Sequence, residues 1–216
     1  MSLTLHIPSL EELSYREKLL SQPETMAYNR GYDLPFEGYD RTTGCIAFPR
    51  EKWAEWYSRW IGAEPERFYA YLRREEDGVF VGDVNFHCRP GEKIADMGVV
   101  IEAAHRGKGC AAQALELLAE RALIRDGLEA LHNVFEPERT AALRAHLRAG
   151  FERRPDCGDG FVHLLLTRER FKNGKNVKKQ ANLLTSQIGG AILFITFAGR
   201  KDGNPCRRSN LSKTSI

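Results

Sequence analysis

The sequence lacks an apolar run long enough to cross a membrane. Its longest such run, residues 188–199, has 12 residues and contains Thr196, whereas a membrane-spanning helix needs about 20. The N-terminus also lacks the basic segment and apolar stretch of a secretory signal. We therefore expect a cytoplasmic protein without a membrane partner.

Cysteines are few and are not arranged in pairs. The five are odd in number, widely spaced and form no CxxC or CxxH pattern, which argues against a disulfide framework and against a zinc site. Reduced thiols and no metal cofactor are expected. The cysteines are Cys45, Cys88, Cys110, Cys157 and Cys206.

The net charge of +3 is unevenly distributed along the 216 residues. Residues 1–166 hold 21 Lys and Arg against 27 Asp and Glu, whereas residues 167–216 hold 11 against 2. An acidic main body does not indicate a nucleic-acid partner. We interpret residues 1–171 as one domain and residues 172–216 as a basic extension that is disordered or foreign to the fold.

Hydrophobic periodicity and turn residues predict an α+β domain built on a mixed sheet. Strands are predicted at Leu3–Ile7, Phe68–Arg74, Val79–Cys88, Ile94–Ile101, Leu128–Phe135 and Phe161–Thr167. Helices are predicted at Leu10–Leu20, where Ser9 and Glu12 form a capping box, and at Arg50–Ile61, Ala111–Arg125 and Arg139–Ala149.

The most informative segment is a glycine-rich turn between a predicted strand and a long helix. It reads Arg-Gly-Lys-Gly-Cys-Ala over residues 106–111. Glycines let a ligand approach the backbone, and the first turn of a helix offers unpaired N–H groups together with the positive end of the helix dipole. This arrangement predicts a pyrophosphate site.

The turn can be compared with three kinds of phosphate-binding site. A Walker A loop fails, because Glu102 stands where its first glycine belongs and Gly109 follows the lysine. A dinucleotide fingerprint matches at Gly107, Gly109 and Ala112, with Glu136 ending the next strand. However, an antiparallel meander of about a hundred residues precedes the turn, unlike the usual dinucleotide unit. The third candidate is coenzyme A.

Two motifs resemble those of the GNAT acetyltransferase superfamily. Residues 106–111 are similar to its (Gln/Arg)-x-x-Gly-x-(Gly/Ala) signature, and residues 139–151, RTAALRAHLRAGF, resemble its second motif. The resemblance covers about four fifths of the chain. It implies an acyl-CoA N-acyltransferase fold with a mostly antiparallel sheet splayed between the fourth and fifth strands, and with helices on both faces.

The resemblance further implies acetyl-CoA as acetyl donor. The pantetheine arm would pair with the backbone of Val99, Val100 and Ile101, where an N–H would also stabilise the oxyanion. The cofactor-binding set is completed by Arg106, Gly107, Lys108, Gly109, Cys110, Ala111 and Arg139.

The catalytic residues are less well defined by the resemblance. The second motif departs from the family at Arg139, usually Asn, and at His146, usually the Tyr that protonates the thiolate. His146 would replace that acid. Asp96 is the leading candidate for the base, followed by Glu136 and then Glu102. His87 and Asn85, and also His132 and Asn133, would order a proton-carrying water.

The acceptor is expected to be a small-molecule amine or a protein N-terminal amine, attacking the thioester directly. An acidic and aromatic loop, with Tyr32, Asp33 and Glu37, suits a cationic substrate, whereas the stripe of Trp53, Trp56, Tyr57 and Trp60 favours core packing. A homodimer is a further expectation from the resemblance. Two alternatives stay open: a non-catalytic acyl-CoA-binding module and a dinucleotide-dependent oxidoreductase.

Overall fold

The computed structural model describes residues 2–187 except 36, 90 and 157. Cys157, Cys206 and the part of the predicted extension beyond residue 187 lie outside the described residues. The chain divides into a first compact unit, residues 1–174, and a second, residues 175–216.

Seven strands form one sheet in the order β1-β2-β3-β4-β5-β7-β6. The strands are β1 (Leu3–His6), β2 (Arg67–Arg74), β3 (Phe80–Cys88), β4 (Ile94–Ile101), β5 (Ala130–Phe135), β6 (Glu152–Arg153) and β7 (Val162–Thr167). Pairing is antiparallel everywhere except between β4 and β5. The predicted mixed sheet is therefore confirmed, and the two-residue edge strand β6 is an addition to it.

The helices differ from the sequence prediction mainly at their ends. They are α1 (Leu13–Leu20), α2 (Pro23–Met26), α3 (Trp53–Trp60), α4 (Cys110–Ala119), α5 (Thr140–Arg148) and α6 (Arg168–Gln187). A π-helical segment, Glu120–Arg125, extends α4. None of the helices in the described residues combines the length and apolar character needed to span a membrane.

The predicted capping box forms, although its helix begins later than expected. The Ser9 N–H donates to the Glu12 carboxylate (2.8 Å), and the Glu12 N–H donates to the Ser9 hydroxyl (3.4 Å). Residues 10–12 form a turn in front of α1, so the helix starts at Leu13 rather than at Leu10.

Alternate residues of the central strands face two apolar layers. Phe68, Ala70 and Leu72 of β2 join the main core, which packs under α4. On the opposite face, Tyr69 and Tyr71 make edge contacts with Trp56 of α3 and Tyr15 of α1, respectively. Helices therefore cover both faces of the sheet, as predicted.

The tryptophan stripe on α3 belongs to the smaller apolar layer. Trp53 is 7% exposed, and Trp56 contacts the rings of Phe48 and Tyr69. Trp56 and Tyr57 pack against the same cluster. These contacts bear out the prediction of core packing.

Candidate active site

Strands β4 and β5 separate soon after they meet. Only Ile94, Ala95 and Asp96 pair with β5, although β4 stays paired with β3 as far as Ile101. From residue 97 onward, the edge of β4 that faces β5 has no strand partner among the described residues. The predicted splay is confirmed, and it leaves the backbone of Val99–Ile101 open along one edge of a slot.

The glycine-rich turn follows β4, at the open end of this slot. Among the residues that the structure describes, no backbone carbonyl accepts a hydrogen bond from the amides of residues 107–112. Gly107 (φ 77°) and Gly109 (φ 81°) both adopt left-handed backbone, and Gly109 caps α4. A Cβ atom on either glycine would project into open space. The turn therefore presents a run of unpaired N–H donors at a helix N-terminus, which suits a diphosphate.

The side chain of Arg106 holds this turn in place. Its guanidinium donates to the carbonyls of Ile101 (3.1 Å), Glu24 (3.1 Å) and Thr25 (2.7 Å). These bonds occupy the group that the sequence assigned to the cofactor, so the guanidinium joins the turn to α2. The Lys108 ammonium donates to the Ala104 carbonyl (3.0 Å) and is exposed, which leaves it close to the open amides.

Arg139 lies at the start of α5 and contacts the loop after α2. It donates to the Tyr28 carbonyl (2.9 Å), and its guanidinium lies 5.1 Å from the centre of the Tyr28 ring. The Arg139 Nε atom is also 2.5 Å from a carboxylate oxygen of Glu136. Both residues were predicted to act on the reactants, yet the geometry shows an ion pair that anchors the Tyr28 loop.

His146 is buried in α5 and is 5% exposed. Its Nδ1–H donates to the Ala142 carbonyl (2.8 Å), and its Nε2 accepts from the Asn133 amide (2.9 Å). Burial lowers the pKa of His146. A neutral imidazole whose only N–H is bonded to a backbone carbonyl has no proton for a thiolate, so the geometry gives no support to the predicted acid role.

Asp96 is the last residue of β4 that pairs with β5. Its carboxylate accepts a hydrogen bond from Nδ1 of His132 (2.8 Å), its partner in the register, and its side chain is 50% exposed. That hydrogen bond lowers the pKa of Asp96. Asp96 alone is therefore a weak base, and His132 has to be considered with it.

Sequence reasoning missed two members of this polar row. His163 of β7 lies 3.3 Å (Nδ1) from His132 Nε2, and Asp159 accepts from His163 Nε2 (2.7 Å). No local signal could place these residues, since β7 reaches β5 only through antiparallel pairing in the folded sheet. The third candidate base, Glu102, accepts hydrogen bonds from Tyr15 (3.2 Å) and Gln22 (2.7 Å).

The predicted acceptor loop contains a cavity of about 360 Å³, lined by Tyr32, Asp33, Leu34, Pro35, Tyr39 and Arg41. Asp33 pairs with Arg41 (2.9 Å), and Glu37 pairs with Lys52 (2.8 Å). Both carboxylates are more than four fifths exposed. Tyr32 interacts with Glu136 and Arg139, which places this loop beside the end of β5.

Within the described residues, no group of three or more His, Cys, Asp or Glu side chains is arranged to hold a metal ion. The row containing His132 and His163 is linear, because each imidazole uses one nitrogen for the other ring and one for a carboxylate.

Comparison with known proteins agrees with this geometry. A family model described as "Acetyltransferase (GNAT) domain" matches residues 3–152. No curated protein sequence gives a significant match.

Several solved structures share the fold at low sequence identity. The spermidine N-acetyltransferase from Vibrio cholerae, in complex with CoA and spermine, has a TM-score of 0.62 and 15% identity, covering 79% of this chain and 98% of its own. A GNAT-family acetyltransferase from Bacillus anthracis has a TM-score of 0.58 and 16% identity, with coverage of 78% and 96%. An apo nucleotide-linked sugar GNAT has a TM-score of 0.60 and 16% identity, with coverage of 83% and 94%.

Proposed function

Because this chain belongs to the GNAT acetyltransferase family, we propose that it transfers the acetyl group of acetyl-CoA to a primary amine by direct attack in a ternary complex. One observation carries the proposal. The open edge of β4 leads from the separation of β4 and β5 to the unpaired amides of residues 107–112. The open strand edge suits a thioester arm, and the unpaired amides suit a diphosphate.

The backbone supplies most of the binding groups in this proposal. The N–H and C=O groups of Val99–Ile101 would bind the pantetheine arm as an added strand. The amides of Gly107–Ala111 would hold the pyrophosphate, and Lys108 would add a positive charge nearby. Cys110 supplies only its N–H, because its buried thiol already donates to the His105 carbonyl (3.3 Å).

The reaction requires a proton to leave the acceptor before attack. A cationic amine must lose one proton to become a nucleophile, and an N–H donor near Val99–Ile101 would stabilise the developing oxyanion. The second proton lost by the nitrogen would end on the thiolate. Asp96, at the point where the slot opens, is the carboxylate that we place nearest to this exchange.

The acceptor is proposed to be a small-molecule amine or a protein N-terminal amine. Asp33 and Glu37 would attract it, although each already has a cationic partner. Both ion pairs are exposed and contribute little to stability, so a cationic substrate could displace Arg41 or Lys52 at little cost. A homodimer also remains a proposal.

Ligand-dependent stability and turnover test the function. Free CoA should raise the Tm of the protein, whereas NAD and NADP should leave it unchanged. Thiol release from acetyl-CoA should appear with at least one member of a panel of polyamines, amino acids, aminoglycosides and peptide N-termini. No stabilisation by CoA would refute the proposed cofactor.

A second candidate function is a non-catalytic acyl-CoA-binding module. It is favoured by His146, which stands at the family's acid position but has no proton available for a thiolate. Stabilisation by CoA without thiol release from any amine would support the module rather than the enzyme.

A further inference from the structure

Four side chains form a continuous hydrogen-bonded chain across β4, β5 and β7. Asp96 Oδ1 lies 2.8 Å from His132 Nδ1, His132 Nε2 lies 3.3 Å from His163 Nδ1, and His163 Nε2 lies 2.7 Å from Asp159 Oδ2. The two imidazole rings lie edge to edge, with centroids 5.5 Å apart and an interplanar angle of 29°. We refer to these four residues as the proton chain.

The proton chain begins where the proposed slot begins. Asp96 and His132 are the last residues that pair β4 with β5, so the gap between the strands opens directly beyond them. The other end, Asp159, precedes β7 in a loop and is 33% exposed. Asp96 is itself 50% exposed, so the proton chain joins two solvent-accessible carboxylates, one where the slot begins and one beyond β5.

Counting protons shows that the chain can exist in two forms. Three contacts join the four groups. Both terminal groups are carboxylates, and an ionised carboxylate can accept hydrogen bonds but cannot donate them. Filling every contact requires three protons on two imidazoles, so one ring is then charged. When both rings are neutral, they hold two protons and one contact is unfilled. The two-proton form can accept one more proton.

The environment of both ends keeps the carboxylates ionised. The hydrogen bond from His132 lowers the pKa of Asp96, and His87 of β3 and Arg89 add favourable charge interactions. The N–H of Phe161 and the hydrogen bond from His163 lower the pKa of Asp159. His87, opposite Asp96 in the register, has its own pKa lowered by burial, with Arg67 and Arg89 acting in the same direction and Asp96 opposing them.

We propose that this chain is the proton acceptor of the acetyl transfer, taking a proton from the acceptor ammonium at Asp96 and releasing one to solvent at Asp159. The inference rests on the proposed function. The ammonium loses one proton to the two-proton chain, directly or through a water. The resulting amine forms the C–N bond, the C–S bond breaks, and the thiolate takes the second nitrogen proton. Release of one proton at Asp159 then restores the two-proton form.

In this scheme Asp96 and His132 are the members beside the slot, and His163 and Asp159 act through them. His163→Gln interrupts the chain at its third member, and Asp159→Asn removes the outer carboxylate with almost no change in shape. His6→Gln is the matched control, because His6 also lies 2.8 Å from a carboxylate, that of Glu12, but on the edge strand β1, which β2 and β3 separate from β4.

The first test is the detection of the central hydrogen bond of the proton chain by ¹⁵N NMR without any ligand. In the wild-type protein, a ¹⁵N–¹⁵N coupling through the hydrogen bond should connect His132 Nε2 with His163 Nδ1, which lie 3.3 Å apart. In His163→Gln this coupling should be lost and the ring-nitrogen signals of His132 should shift, whereas in His6→Gln both should stay as in the wild type. Unchanged His132 ring-nitrogen signals in His163→Gln would overturn the proton chain.

The second test is steady-state kinetics with acetyl-CoA and the amine of the panel that gives the fastest thiol release. General acid–base catalysis contributes about 10²–10⁴-fold, so His132→Gln should lower kcat by about 100-fold. His163→Gln and Asp159→Asn should lower kcat by about tenfold and move the acidic limb of its pH profile, with an unchanged KM for acetyl-CoA. His6→Gln should match the wild type.

The outcomes separate this inference from the function on which it rests. Turnover with wild-type pH profiles in both His163→Gln and Asp159→Asn would overturn the proposed role of the proton chain. The proposed acetyltransferase function would be unaffected by that result. Absence of turnover with every amine would overturn both the role of the proton chain and the acetyltransferase function. The NMR result would then still show whether His132 and His163 share protons.

Discussion

The left-handed glycine before α4 allows a sharp test of the diphosphate site. Gly109 has φ 81°, and a Cβ added there would meet no atom within 4 Å. Gly62, in the turn after α3, has φ 75° and an equally open Cβ position. Gly109→Ala and Gly62→Ala therefore impose the same backbone strain, but only the methyl group of Gly109→Ala lies at the proposed diphosphate site.

The magnitude of the strain can be estimated in advance. Left-handed backbone costs a non-glycine residue about 1–2 kcal/mol. For a chain of this size, 1 kcal/mol shifts Tm by about 2–4 °C, so both variants should melt about 2–8 °C below the wild type. Neither change removes a buried contact, because neither Cβ has a neighbour within 4 Å.

The response to CoA should then separate the two variants. A ligand at one hundred times its Kd stabilises the native state by about 2.7 kcal/mol, which corresponds to a rise in Tm of about 5–11 °C. Gly62→Ala should keep this rise, whereas Gly109→Ala should lose most of it, because its methyl group keeps the diphosphate away from the amides of residues 107–112. Differential scanning fluorimetry with increasing CoA measures both effects. Equal stabilisation of the two variants by CoA would refute the proposed diphosphate site.

Three further predictions concern residues outside the proposed diphosphate site. Burial lowers the pKa of His146 below its unfolded value. The contribution of His146 to stability is therefore intact above the unfolded pKa of about 6.5 and is lost as the pH falls below that value. Urea titrations of His146→Phe should show a smaller loss of unfolding free energy between pH 7 and pH 5 than those of the wild type. Arg139→Gln should raise the KM of the amine severalfold through the Tyr28 loop, and a weaker Kd for CoA measured by calorimetry would instead favour the cofactor contact predicted from the sequence. Truncation after Gly174 should leave the Tm within a few degrees of that of the full chain. In contrast, Phe171→Ala should lower the free energy of unfolding in urea titrations by about 3–5 kcal/mol, because Phe171 lies in the main core and is 5% exposed.

The sequence was sufficient for the parts of the fold that depend on local patterns. Strand β4 has the predicted bounds, and the capping box at Ser9 forms as expected. Helix α4 begins at Cys110, one residue before its predicted start at Ala111. In each case the signal lies within a few consecutive residues, namely alternation, a capping pair or a glycine at a helix start.

Features that depend on distant contacts were not predictable. The two residues of β6 are too few for a periodic signal, and the strand exists because Glu152 pairs with Leu165 of β7. Helix α6 crosses the domain boundary predicted near Phe171. The Thr167 hydroxyl accepts from the Arg170 N–H at its start (3.2 Å), and the Phe171 ring lies in the core. The cap was present in the sequence, but the anchoring of Phe171 depends on the folded core.

The two departures from the family's second motif explain why the candidate site had to be revised. Arg139 anchors Tyr28 and pairs with Glu136, and the buried His146 accepts a hydrogen bond from Asn133. Both substituted side chains therefore have structural partners, and the single N–H of a neutral His146 is bonded to the Ala142 carbonyl. Proton transfer then has to come from another element. The row through Asp96 joins titratable groups from the point where β4 and β5 separate to the partly exposed Asp159, which is why we assign the proton transfer to it.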